Sequence, residues 1–241
     1  MNIILLKKQD FIRNSSTVLI QDDRFVHIRR VLKPNVGQSL KVGLLGGSCG
    51  FGIVESIDSH GVVLQVVLNE PAPHRHPFDI ILALPRPKML RRILRTIAEY
   101  GVENLHLINS ARVEKSFWQS PLLQPDKIHD ALIAGMERSK DTFMTNVRLH
   151  QRFRPFVEDQ LPDLCGDRTC WLTDISATQS VVDIDISSKR AVVMIGPEGG
   201  FVPFEIELAI AKIARPVHLG GRTLSVDTAV TTVLAQALPK T

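Results

Sequence analysis

The spacing of apolar residues changes once along the chain, near residue 78. Before that point the apolar positions come in short, partly alternating runs: Thr17-Val18-Leu19-Ile20, Leu40-Lys41-Val42-Gly43-Leu44, Gly52-Ile53-Val54-Glu55-Ser56-Ile57 and Val62-Val63-Leu64-Gln65-Val66-Val67-Leu68. Each reads as a strand, and Gly37, Gly46-Gly47, Gly50 and Ser59-His60-Gly61 separate them as turns. One helix interrupts the series. Asp22 or Asp23 can cap it, Phe25, Ile28, Val31 and Leu32 form its apolar stripe, and Arg24, Arg29, Arg30 and Lys33 lie on its other side. Residues 1–72 therefore predict a small β-barrel or curled sheet. The proline-rich stretch Pro71-Ala72-Pro73-His74-Arg75-His76-Pro77 has no apolar pattern and reads as a stiff spacer, placing a linker at 73–78.

From residue 79 the pattern alternates between continuous apolar runs and a helical period. Asp79-Ile80-Ile81-Leu82-Ala83-Leu84 predicts a strand that Pro85-Arg86-Pro87 ends. The following helix, Lys88 to Tyr100, is two-sided at roughly 100° per residue. Met89, Leu90, Ile93, Leu94, Ile97 and Tyr100 share one side; Lys88, Arg91, Arg92, Arg95 and Glu99 share the other, and Gly101 can cap the end. Next come a strand at Leu105–Ile108, a polar segment through Trp118, and a helix from Pro125 or Asp126 to Ser139. Strands at Asn146–Leu149 and Thr169–Thr173 follow, with a short helix from Pro155 to Leu161 between them. Such alternation over 79–241 predicts an α/β domain whose mostly parallel sheet is covered on both faces.

The most informative stretch is Arg190 to Ala229. The apolar run Ala191–Ile195 stops at Gly196-Pro197-Glu198-Gly199-Gly200-Phe201, a turn that no regular element passes through. Pro203 suits the first position of a helix, with Glu205 and Glu207 near its positive end, and the helical pattern continues to Pro216. A second short run, Pro216-Val217-His218-Leu219, breaks at Gly220-Gly221. A last helix starts near Ser225 or Val226 and ends at Leu238-Pro239. Two glycine turns thus follow two strands, which is where open α/β sheets place ligands.

Composition narrows the chemistry only a little. Among 241 residues, 44% are hydrophobic and 22% charged, enough apolar mass for a sizeable core. A formal charge of +4 tilts the chain toward an anionic partner, and the cationic side of the helix at 88–100 is where a phosphate backbone would lie if it is more than a solvated face. No run is long enough to span a membrane, and the N-terminus lacks the pattern of a secretory signal, so the expectation is a cytoplasmic protein. Cys49, Cys165 and Cys170 include no CxxC pair, and His74 and His76 have no acidic or cysteine neighbours, so no metal site is expected. Walker, GxGxxG, GxSxG and HExxH patterns are all absent. Chemistry of this kind suits a cofactor that carries the reactive group while the protein positions it. What the glycine turns offer is main-chain contact with a flat polar ligand.

Taken together, Ile195-Gly196-Pro197-Glu198-Gly199-Gly200-Phe201, Glu205, Leu219-Gly220-x-Arg222-x-Leu224 and Asp227-Thr228-Ala229 resemble the bacterial 16S ribosomal RNA uridine N3-methyltransferase family, a SPOUT-class family of knotted methyltransferases. His27-Ile28-x-Arg30-Val31-Leu32-Lys33 followed by Gly37-Gln38-Ser39-Leu40 looks like that family's PUA-like, RNA-binding N-terminal barrel, and Lys88 with Ala98-Glu99-Tyr100-Gly101-Val102 looks like its first knot-domain helix. The resemblance implies a trefoil knot, bound S-adenosylmethionine, a homodimer, and methylation of one uridine at N3 in small-subunit ribosomal RNA. It assigns cofactor binding to Leu172, Thr173, Ile195, Gly196, Pro197, Glu198, Gly199, Gly200, Leu219, Gly220 and Leu224. Arg222 is its candidate catalytic group, orienting the uracil or stabilising charge on its oxygens, with a brace against Glu198 as the alternative. Arg30, Arg86, Lys88, Arg91, Arg92 and Arg95 are the candidate RNA contacts. The chain departs from the family pattern at Ser225, where an arginine is usual, and at Asp227, where a glutamate is usual. That leaves two alternatives open: another RNA target, such as a different rRNA base or a tRNA ribose, and an RNA-binding assembly factor without turnover.

Overall fold

The computed structural model describes residues 2–13, 15–184 and 190–238. It divides into two compact units, one formed by residues up to His74 together with Ile133–Met144, the other by Arg75–Leu132 and the chain from Thr145 on.

The first unit is a mixed five-stranded sheet. It contains β1 (Ile4–Leu6), β2 (Thr17–Ile20), a helical turn α1 (Asp23–His27), β3 (Ser39–Leu44), β4 (Cys49–Ile57) and β5 (Val62–Glu70), in the order β1-β3-β4-β5-β2. All neighbours are antiparallel except β1 and β3. The sheet curls around Ile4, Leu6, Val18, Ile20, Phe25, Ile28, Val42, Val54, Val62 and Leu64. The β4–β5 pair slips register next to Cys49 and Val54, and such bulges bend a sheet. Gly50 sits at the first slip because a Cβ there would lie 1.9 Å from the Val67 carbonyl oxygen. Asp22 caps α1 by accepting from the Arg24 amide. One prediction fails: Val31 is 63% exposed, because the chain widens into a π-turn over Ile28–Leu32 and rotates Val31 off the apolar stripe. Arg24 also leaves the solvent face. Its guanidinium forks onto Asp10 at 2.7 and 2.9 Å and donates to the Leu5 carbonyl at 2.6 Å. The segment after residue 133 joins this unit through polar ties: the Gly46 amide donates to the Thr142 carbonyl at 2.8 Å, and the Thr142 hydroxyl to the Gly47 carbonyl at 2.6 Å.

The second unit is α/β. Its elements are β6 (Phe78–Ala83), α2 (Pro87–Glu99), β7 (Asn104–Ile108), α3 (Pro125–Ser139), β8 (Asn146–His150), α4 (Phe153–Pro155), α5 (Leu161–Cys165), β9 (Thr169–Thr173), β10 (Ala191–Ile195), α6 (Pro203–Lys212), β11 (Ala214–Val217) and α7 (Val226–Gln236). Only the first part of α3 belongs to this unit. The six strands form one all-parallel sheet in the order β11-β9-β10-β6-β7-β8. Every residue of the central strands β6 and β10 is buried, as expected for a sheet with both faces covered. α2 keeps the predicted two sides: Leu90, Ile93, Leu94 and Ile97 are buried, while Lys88, Arg91, Arg92 and Arg95 are exposed. Gly101 ends it at φ +68°. One boundary differs from expectation. The helix predicted to reach Pro216 stops at Lys212, because Ala214–Val217 pairs with β9 as an edge strand. On an edge the missing proline N–H costs no ladder bond. The predicted helix end at Pro239 lies outside the described residues. His76 is not idle spacer: its ring is buried, with Nε2 3.0 Å from the Leu234 carbonyl and Nδ1 accepting from the Phe78 amide.

Candidate active site

At the carboxyl ends of β9, β10 and β11 the chain leaves a cavity of about 380 Å3. β9, β10 and β11 lie side by side on one flank of β6, and the loops that follow them line the cavity together with Arg112 from the segment after β7.

One wall is the loop after β10. Gly196 is packed so closely that a Cβ would lie 3.2 Å from both the ring and the amide nitrogen of Phe201. The Gly200 amide donates to the Pro197 carbonyl at 2.8 Å, and Gly200 takes φ +73°, a conformation that favours glycine. Pro203 then opens α6. Glu205, in the first turn, is 3% exposed and fully engaged: it accepts from the Val202 amide at 3.0 Å, the Ala111 amide at 2.7 Å and the Ser110 hydroxyl at 3.1 Å. A single buried carboxylate therefore ties the segment after β7 to the loop after β10. From that segment Arg112 extends its guanidinium over the glycines, with Nη1 donating to the Gly199 carbonyl and, at 3.4 Å, to the Gly200 carbonyl.

The facing wall is the loop after β11. The His218 ring accepts from the Gly220 amide at 3.1 Å, and Gly220 adopts φ +109°. Gly221, Arg222 and Thr223 are exposed. α7 follows, its first turn knit by the Ser225 hydroxyl, which donates to the Asp227 carboxylate at 2.6 Å and lies 2.9 Å from the Thr228 hydroxyl. That bond, and secondarily the Arg92 charge, holds the Asp227 carboxyl below its ordinary pKa. Behind the walls, Asp174 closes an Asx turn by accepting from the amide and hydroxyl of Ser176 at 2.7 and 2.8 Å.

Thr173, Ile195, Gly196, Pro197, Glu198, Gly199, Gly200, Leu219, Gly220, Arg222 and Leu224, all singled out from the sequence, line this one cavity. Leu172 does not. Its side chain is wholly buried in the core beneath, one residue short of the strand end. Arg222 and Glu198 both face the cavity yet form no ion pair with each other. Of the candidate RNA contacts in this unit, Arg86, Lys88, Arg91 and Arg95 are exposed, and Arg92 reaches Asp227 on α7 at 3.3 Å. Arg30 is exposed on the first unit. Sequence reasoning missed Arg112 and Asp174. Arg112 lies in a segment without periodicity, and the one available signal was its place just beyond the end of a parallel strand.

A family model described as an RNA methyltransferase domain matches residues 72–238. The chain belongs to that family. In particular, it is 29% identical to ribosomal RNA small subunit methyltransferase E of Treponema pallidum, in an alignment covering 99% of this chain and 91% of that one. A Synechocystis protein of the same name is 28% identical over 92% of this chain and 72% of its own length. Among solved structures, ribosomal RNA small subunit methyltransferase E from Neisseria gonorrhoeae, bound to S-adenosyl methionine, shares the fold with a TM-score of 0.77 at 20% identity, covering 98% of this chain and 95% of that one. A Legionella pneumophila methyltransferase in complex with the same cofactor gives 0.76 at 18% identity, with 97% and 95% covered. These matches agree with the family resemblance drawn from the motifs.

Proposed function

We propose that the chain is an S-adenosylmethionine-dependent methyltransferase acting on N3 of a uridine in small-subunit ribosomal RNA, as a cytoplasmic homodimer. The observation that carries the reading is the cavity between two glycine-rich turns, lined in part by Gly196, Gly199, Gly200 and Gly220. Its volume of about 380 Å3 lies within the usual range for small-molecule sites. No heavy atom lies within 4 Å of where a Cβ would stand on Gly220 or Gly221, which leaves the main chain there open to a close-fitting ligand. Asp174 and Glu198 add acceptors at the rim. When bound, S-adenosylmethionine supplies a methyl group on a cationic sulfur.

The chain's own residues do the rest. Ile195, Phe201, Leu219, Leu224 and Val226 give the cavity an apolar lining that limits water. Arg222 orients the uracil and stabilises the negative charge that its oxygens gain as N3 gives up its proton to become the nucleophile. The absence of an ion pair with Glu198 leaves its guanidinium available for that role. The exposed cations of α2 (Arg91, Arg92 and Arg95), with Arg86 and Lys88, take the RNA backbone, and Arg30 contributes from the first unit.

The test is to delete the gene and map methylated nucleosides in rRNA and tRNA. Loss of a 3-methyluridine from the small-subunit rRNA, restored by complementation, is the expected result. Loss of a different methylated nucleoside would reassign the target, and an unchanged map would remove the enzymatic reading.

A further inference from the structure

Arg112 lies in the segment after β7, whereas the loop it touches follows β10, so the contact joins parts of the chain 87 residues apart. Its stem runs so close to Gly199 that a Cβ on that glycine would stand 3.0 Å from Arg112 Cδ. Its Nη1 reaches the carbonyls of two successive residues, Gly199 and Gly200. The backbone that carries Arg112 is itself fixed, since the Ala111 amide and Ser110 hydroxyl both donate to the buried Glu205.

Resting on the methyltransferase reading, we infer that Arg112 is a positioning residue for the cofactor: it clamps the peptide planes of Gly199 and Gly200 so that the loop after β10 is preformed before a ligand arrives. The physical need is plain. Three of the five residues from Gly196 to Gly200 are glycine, and such a loop samples many conformations unless something outside it intervenes. A ligand that had to order the loop itself would bind more weakly in proportion to the population of the competent form. The internal turn bond from Gly200 to Pro197 engages the Pro197 carbonyl, and the guanidinium constrains those of Gly199 and Gly200, which that bond does not reach. The same segment continues into the 3-10 turn Lys115–Gln119, so it presents Arg112 to the cofactor loop and Lys115 to solvent.

Calorimetry with S-adenosylhomocysteine, paired with amide hydrogen exchange of the ligand-free protein, tests the inference. Arg112→Ala should weaken the ligand by about ten- to a hundredfold, the range for losing charge-assisted bonds. Exchange at Gly200, whose amide donates to the Pro197 carbonyl, should rise while the urea midpoint and the affinity for RNA hold. Arg112→Lys should recover part of the loss, since one ammonium replaces a fork, and Lys115→Ala should match the wild type. In turnover assays the Arg112→Ala defect should fall on the KM for cofactor and leave kcat at saturation within a few-fold. Equal ligand affinities for wild type and Arg112→Ala would overturn the inference alone. So would a variant that loses RNA affinity and keeps cofactor affinity, because Arg112 would then be a phosphate contact. A wild-type protein that failed to bind the ligand would remove the methyltransferase reading together with this inference.

Discussion

The loops after β10 and after β11 use the same kinds of residue and differ in what holds them. The first is braced from outside: Glu205 pins its exit, Arg112 covers its carbonyls, and Phe201 packs on Gly196. The second is tied at its start, where the His218 amide donates to the Gln179 carbonyl at 2.9 Å and the His218 carbonyl accepts from the Val181 amide at 3.0 Å. The His218 ring accepts from the Gly220 amide, and the next residues stand in solvent. One wall of the cavity is therefore built in advance. The other presents Arg222, which among the described residues lining the cavity is the one cation not committed to main chain, on exposed backbone beyond the His218 ties. That division suits a site that must hold one ligand tightly while adapting to a second.

The sharpest way to break the comparison is Arg222→Ala. If the open wall carries the chemistry, kcat should fall by about 100- to 1,000-fold, the cost of removing one preorganised charge-stabilising donor. Affinity for S-adenosylhomocysteine should stay within a factor of two or so of wild type. Unchanged turnover would remove the catalytic role from that wall. Next in size is Glu205→Ala, which orphans two backbone amides and a hydroxyl at once. A loss of about 3 kcal/mol in urea unfolding is expected from uncovering buried donors, with Glu205→Gln retaining part because it keeps an acceptor. If the alanine variant unfolded like wild type, the first loop would not owe its order to that carboxylate.

The glycines offer a finer comparison. Gly200 and Gly220 both have positive φ, so Gly200→Ala and Gly220→Ala should each cost about 1–2 kcal/mol of backbone strain. On the braced wall that strain stays in place and should appear as weaker cofactor binding. On the open wall the chain can relax, and the effect on binding should be smaller. Gly221→Ala, with no heavy atom within 4 Å of the added carbon, should change stability by less than about 0.5 kcal/mol.

Much of this was legible from residue order, for identifiable reasons. Continuous apolar runs located β6, β9 and β10, and turn residues located the ends that carry the cavity. α2 was legible because a two-sided period of 3.6 survives any tertiary context that buries one face. What failed did so where tertiary pairing overrode local preference. Val31 followed a helical period that the π-turn breaks, and Pro216 reads as a stop signal yet sits inside an edge strand. Arg112 and Glu205 form their clasp across segments distant in sequence, and no local pattern encodes such a contact. The segment 133–144 shows the same limit. Its membership in the first unit rests on buried Thr142 and a few backbone bonds, which carry no periodic signature.

A modest effect is expected where the open wall runs into the last helix. Asp227 sits in the first turn of α7, just beyond that loop, and is bonded to Ser225 and faced by Arg92. Both partners favour the ionised carboxylate, the Ser225 bond more strongly, so its pKa is lowered on folding. A carboxyl with a lowered folded pKa contributes stability above its unfolded value, near 4, and loses it as pH falls through the folded value. Asp227→Asn should therefore cost about 1 kcal/mol near pH 7, in keeping with a partly exposed pair plus one bond. The gap between variant and wild type should close as pH drops below about 4. Salt should narrow the Arg92 share and leave the Ser225 share, because only the former is screened. A gap independent of pH would mean that the carboxylate charge is not what anchors the turn, and that α7 holds the open loop by its buried face alone.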